Sequence, residues 1–128
     1  MEKNLKALIV DDEADVCYLL GGILSYKNLQ VSFASSLLEA KNMLLEENPS
    51  IIFLDNHLPD GFGLDHIEEL KALLPETKII MITAHDTQAD RQKARQKGAD
   101  FFIGKPFTKD IIFGTIDSLF VNKLTPQL

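Results

Sequence analysis

Five polar residues of this 128-residue chain stand where apolar runs stop. Asp11 and Asp12 follow Lys6-Ala7-Leu8-Ile9-Val10, and Asp55 follows Ile51-Ile52-Phe53-Leu54. Thr83 closes Lys78-Ile79-Ile80-Met81-Ile82, and Lys105 follows Phe101-Phe102-Ile103-Gly104. Short unbroken apolar runs rich in β-branched and aromatic residues suit strands buried on both faces, as in a parallel sheet. Ligands of open α/β sheets bind at the carboxyl ends of the strands, so these groups would share one edge. Three carboxylates within about 4 Å of one another repel by roughly 4 kcal/mol per pair at an effective dielectric near 20. Lys105 offsets part of that, and a divalent cation is the natural second counter-charge. A hard ion such as Mg2+ (or Mn2+) takes one or two carboxylates, a carbonyl, waters and a phosphate oxygen, which Asp11, Asp12 and Asp55 could complete. An aspartate is also a nucleophile toward phosphorus. In-line phosphoryl transfer asks for positioning and for neutralised equatorial oxygens, for which the cation, Lys105 and the Thr83 hydroxyl supply one contact each.

The segments between these strands must place them. Val16, Leu19, Leu20, Ile23 and Leu24 recur at helical spacing, predicting a helix from Ala14 to about Tyr26 with Asp12 capping its first turn. Gln30–Ala34 alternates like an edge strand with one wet face. Ser36 and Glu39 form a capping box for a second helix that turns Leu37, Ala40, Met43 and Leu44 inward and stops near Asn48-Pro49. Asn56 to Gly61 reads as a polar loop, and Gly63 leads into a third helix with Leu64, Ile67, Leu70 and Leu74 on one face. Asp86 to Lys97 is strongly polar, with only Ala89 and Ala94 as buried anchors and Gly98 as its stop. Such a thin packing face predicts low local stability. Thr108 caps a last helix carrying Ile111, Ile112, Ile116, Leu119 and Phe120, and residues after about Val121 read as a frayed tail. Strand and helix alternate five times, which defines one α/β domain over residues 1–128, its core about 5–120, with a five-stranded parallel sheet and helices on both faces. Periodicity alone leaves the strand order open.

Composition narrows the function. A net charge of -6 argues against a nucleic-acid surface, and no apolar run approaches the roughly 20 residues that span a bilayer. The amino terminus lacks a signal-type core, and the single cysteine, Cys17, cannot form an internal disulfide. These features fit a cytoplasmic protein.

The order of the motifs resembles the receiver domain of two-component response regulators. The matching residues are Val10-Asp11-Asp12-Glu13, Asp55 with Leu58-Pro59 and Gly63, Thr83-Ala84, and Gly98-Ala99-Asp100 through Lys105-Pro106-Phe107. The resemblance covers residues 5 to 120 and implies a doubly wound (βα)5 fold with strand order 2-1-3-4-5, for which a family member is a standard example. It implies that Asp55 accepts a phosphoryl group from a histidine kinase or histidine phosphotransfer protein, with Asp11, Asp12, Asp55 and the His57 carbonyl holding Mg2+. It further implies a cis bond before Pro106 and a switch in which Thr83 moves inward and Phe102 fills the vacated space. That switch would reshape the face of the fourth helix, fifth strand and fifth helix for a partner or output domain, or for a phosphorylation-dependent homodimer. Phe102 stands where many relatives carry tyrosine, so ring packing survives while a hydroxyl is lost. His57 and His85 fall at positions that in the family border the phosphoryl group and tune its lifetime. The expected chemistry is self-phosphorylation from a donor and self-dephosphorylation, without an enzyme's turnover on an external substrate.

Blander readings exist for each residue alone. Asp11 and Asp12 could be a helix cap, Thr83 a strand-end hydroxyl, Lys105 a solvated lysine, His57 and His85 exposed loop residues, and Cys17 packing. A zinc site of His57, His66 and His85 lacks recurrent ligand spacing. A phosphohydrolase of the haloacid-dehalogenase type would need its nucleophile after the first strand, and a flavodoxin-like carrier a Ser/Thr-Gly-rich loop there; Asp11-Asp12-Glu13 supplies neither. A non-phosphorylated interaction module would have no use for the complete acidic set. No output-domain motif occurs within the 128 residues, which leaves open a free-standing receiver or part of a larger regulator.

Overall fold

A computed structural model describes residues 5–120; the expected tail after Val121 lies outside them. The elements alternate as β1 (Lys6–Val10), α1 (Ala14–Ser25), β2 (Gln30–Ala34), α2 (Leu37–Glu47) and β3 (Ile51–Asp55), then a 3-10 turn (Gly63–His66) running into α3 (Ile67–Leu73), β4 (Lys78–Thr83), α4 (Gln88–Lys97), β5 (Phe101–Gly104) and α5 (Lys109–Leu119). The five strands are parallel in the order 2-1-3-4-5, as the motif resemblance implied. β3 sits at the centre with all five residues buried, and β2 is an edge.

Strand alternation sorts the core into two layers. Leu8, Val10, Ile52, Leu54, Ile79 and Met81 pack under α2, α3 and α4 with Leu44, Ile67 and Leu70. Ala7, Ile9, Phe53, Ile80 and Ile103 pack under α1 and α5 with Leu20, Leu24, Ile112 and Ile116. Both faces of the sheet are therefore covered, and the polar groups that end its strands are left at one rim.

Several local expectations are corrected. Glu13, not Asp12, is the N-cap of α1, and it makes no side-chain cap bond; the aspartate that engages this turn is Asp11, whose Oδ1 accepts from Glu13 N at 2.8 Å. Ser36 does cap α2 by accepting from Glu39 N, but Glu39 Oε1 reaches back to Ser35 N rather than to Ser36. Leu19, Ala89 and Ile111 face solvent rather than the core. α4 consequently buries Ala94 alone, because ten residues with so few apolar side chains can press only one small methyl onto the sheet.

Candidate functional site

The acidic rim follows from register. Val10 pairs with Leu54 and Leu54 with Met81, so the chain leaves β1 and β3 at the same level. Asp11 and Asp55 then continue the alternation of Ile9 and Phe53, and Lys105 that of Ile103, toward the layer of α1 and α5. Ligand oxygens of Asp11, Asp12 and Asp55 all lie within 4.8 Å of one another, with Asp11 and Asp55 buried and Asp12 exposed. Lys105 Nζ bridges the group: it donates to Asp11 Oδ2 at 3.0 Å and to Glu13 Oε1 at 2.9 Å, and sits 3.5 Å from Asp55 Oδ1. Its backbone N–H donates to the Thr83 carbonyl at 2.8 Å, which ties the ends of β4 and β5 together. The Lys105-Pro106 bond is cis, as the resemblance implied.

These charges perturb one another. Burial, and then repulsion from Asp11, push the Asp55 carboxyl up to about 6, against the pull of Lys105. Burial works against the charge on Lys105, yet its bonds to Glu13 and Asp11 and its attraction to Asp55 hold its pKa above an ordinary lysine. An oxygen-only set of three carboxylates with a single ammonium is under-neutralised, and hard oxygen donors at this spacing fit a hard divalent cation.

The loop after Asp55 is built to hold that carboxylate still. Asn56 is buried; its carbonyl accepts from Gly63 N at 2.8 Å and its side chain accepts from Leu64 N at 2.9 Å. His57–Leu58 pairs antiparallel with Gly61–Phe62 in a small hairpin where a polar loop was expected. Asp60 then reaches across to accept from Leu37 N and Leu38 N, both at 2.9 Å, which anchors the hairpin to the amino end of α2. These backbone bonds hold the Asp60 carboxyl below the usual range. Gly63 packs against the β3 end so closely that a Cβ there would overlap the Asp55 carbonyl oxygen and come within 2.9 Å of Leu54 Cγ. The roles of Asn56, Asp60 and Glu13 escaped the sequence reading: their polar type suited a loop, and only the fold shows which amide or ammonium each meets.

The remaining candidates divide into two groups. Thr83 is buried and its hydroxyl accepts from His85 N at 3.1 Å. Phe102 is half-buried against the α4 layer, with the Arg91 guanidinium 5.0 Å from its ring centroid; Arg91 is also paired with Asp86. Phe102 pairs with Met81 and Gly104 with Thr83, so Thr83 and Phe102 lie on the same side of the sheet, one diagonal step apart. Phe101 is exposed on the opposite side. His57 and His85 are exposed, with ring centroids 4.4 Å apart. His66 is turned away toward Lys41 and Glu69, which removes it from any cluster with them. Cys17 donates its thiol to the Asp11 carbonyl at 3.3 Å, and burial, then the Asp11 charge, raise its pKa; it is a packing residue.

A parallel 2-1-3-4-5 sheet with three carboxylates and a lysine at its carboxyl rim is the arrangement of a phosphorelay receiver. The response regulator receiver domain family matches residues 7–117, and the chain belongs to that family. It is 38% identical over 101 residues to the response regulator protein PilR of Pseudomonas aeruginosa, covering 79% of this chain and 23% of that one. It is 32% identical over 124 residues to the phosphate regulon transcriptional regulatory protein PhoB of Klebsiella pneumoniae, covering 95% of this chain and 54% of that one. The chain thus spans about half, or less, of the length of these curated relatives. A solved response regulator from Burkholderia pseudomallei, with a phosphorylated aspartic acid, calcium ion and citrate, is similar with a TM-score of 0.81 at 27% identity, over 87% of this chain and 65% of that one. Among the described residues no helix is long and apolar enough to cross a membrane.

Proposed function

We propose that Asp55 is the phosphoacceptor of this receiver and that it takes its phosphoryl group from a phosphohistidine on a kinase or phosphotransfer protein. The observation that carries this reading is the placement of Asp55: 5% exposed, at the end of the central strand, with Lys105 at 3.5 Å and the carboxylates of Asp11 and Asp12 within 4.8 Å. In the proposed step an Asp55 oxygen attacks phosphorus in line, the phosphorus–nitrogen bond breaks, and the imidazole of a protonated phosphohistidine leaves as the neutral base. Asp11, Asp12, Asp55 and the His57 carbonyl would hold Mg2+, which supplies charge neutralisation at one phosphoryl oxygen. Lys105 is placed to exchange its bonds to carboxylates for one to a second oxygen, and the Thr83 hydroxyl to turn toward a third. The Burkholderia neighbour with its phosphorylated aspartic acid and calcium ion supports both the acceptor and the divalent site.

The same reading assigns the output. Movement of Thr83 toward the phosphoryl group opens space on the side of the sheet where Phe102 lies, and inward packing of that ring changes the α4-β5-α5 face. A downstream domain or protein, or a second receiver, would read that face. The chemistry is self-modification and its reversal, in the cytoplasm, with no external substrate turned over. Intact mass after incubation with acetyl phosphate tests the acceptor. A single phosphoryl adduct that needs Mg2+ and disappears in Asp55→Asn is expected; an adduct that persists in that variant, or none from a phosphorylated kinase either, would overturn the assignment.

A further inference from the structure

We infer that His57 and His85 form a second metal site, for a borderline transition-metal ion, in the groove between the hairpin after β3 and the loop after β4. The two imidazoles come from different elements, the hairpin after β3 and the loop after β4, and both are exposed, yet their ring centroids lie 4.4 Å apart at an interplanar angle of 42°. The Phe62 ring meets His57 edge-on at 5.4 Å and limits its freedom. A metal bound at about 2.0–2.1 Å from one nitrogen of each ring lies about 3.2 Å from each centroid. Two rings meeting the metal at a right angle then have centroids about 4.5 Å apart, whereas a tetrahedral angle would need about 5.2 Å. Rings whose centroids lie 4.4 Å apart are thus close enough for one borderline ion of the Ni2+, Cu2+ or Zn2+ class to bridge them. Neutral imidazole suits such ions and carboxylate oxygen suits Mg2+, so the two sites differ in donor chemistry as well as position.

The surrounding groove is lined by Asp65 and Asp90 as well as Phe62, His57, His85 and Lys93. The carboxylates favour a cation there and Lys93 opposes it. An ion on this pair would join the hairpin that follows Asp55 to the loop that follows Thr83, and would restrain both segments when Asp55 is phosphorylated. That consequence rests on the phosphoacceptor reading; the binding site itself does not.

Calorimetric titration of the whole chain with Ni2+, in excess Mg2+ to occupy the acidic pocket, tests the inference. One site is expected, weakened at least tenfold by His57→Ala or His85→Ala and less than twofold by His66→Ala or Asp55→Asn. Absence of a site, or one that survives both His57→Ala and His85→Ala, overturns it. Ni2+ should also slow acetyl phosphate labelling in the wild type and not in His85→Ala. Binding without that effect would overturn the coupling of the ion to Asp55, and failure of all labelling would count against Asp55 as acceptor while leaving the metal site intact.

Discussion

Replacing Asp55 by asparagine removes a charge that the fold holds at a cost in stability. Burial and the neighbouring Asp11 raise this carboxyl from 3.8 to about 6. A carboxyl raised on folding contributes stability that is fully present below its unfolded value and is lost as the pH rises through its folded value. At pH 7 the ionised group therefore costs about 2–3 kcal/mol, at pH 5 roughly half of that, and at pH 4 well under half. The asparagine side chain would keep the volume and shed that cost, and Asp11 would lose a repelling neighbour. With an unfolding entropy of about 2.1 cal/mol/K per residue, each kcal/mol moves the midpoint of a domain this size by roughly 4 °C. Asp55→Asn should thus melt roughly 7–11 °C above wild type at pH 7 in chelator, with the gap more than halved by pH 4. Added Mg2+ should narrow the gap from the other side by stabilising the wild type, which retains the full carboxylate set. Differential scanning calorimetry across this pH range is the assay. A variant no more stable than wild type at pH 7, or a gap that does not shrink on acidification, would refute the electrostatic account of the site.

Three further outcomes follow from the same geometry. Lys105→Met should leave Asp11, Glu13 and Asp55 without their shared ammonium, so acetyl phosphate labelling should slow at least tenfold and the melting temperature should fall more at pH 8 than at pH 5. Asn56→Ala should cost about 1–3 kcal/mol in a urea titration, since the buried Leu64 N–H loses its acceptor; a change below about 0.5 kcal/mol would count against the anchoring role. Gly63→Ala should cost about 1–3 kcal/mol or more, because its methyl would collide with backbone at Asp55, and labelling should fall with it; wild-type stability and labelling would show that the loop has slack.

Some of this molecule was legible from residue order. Apolar runs at Lys6–Val10, Ile51–Leu54 and Lys78–Thr83 could be read as strands because they are short, β-branched and unbroken, as strands covered on both faces must be. Each run ends at a polar residue, so the rim and its chemistry could be read from the chain alone. Helix caps at Ser36 and Thr108 were readable because a side-chain oxygen and an amide three residues on interact locally. Strand order was not readable from periodicity, since pattern is blind to which strands are neighbours; it came from the family resemblance.

Long-range geometry decided the rest. Which carboxylate Lys105 serves depends on a separation of 94 residues in sequence closed only by the sheet. Asp60 reads as a turn residue until the fold brings Leu37 N and Leu38 N within 2.9 Å of it. Ile111 and Leu19 look like core by spacing and are exposed, because a helix on a sheet buries a stripe narrower than its apolar residues allow. The meeting of His57 and His85 belongs to the same class. Sequence sets what each residue can bond, by type and by local period; only tertiary structure sets which partner arrives, because distance between separate elements is a property of the packed whole.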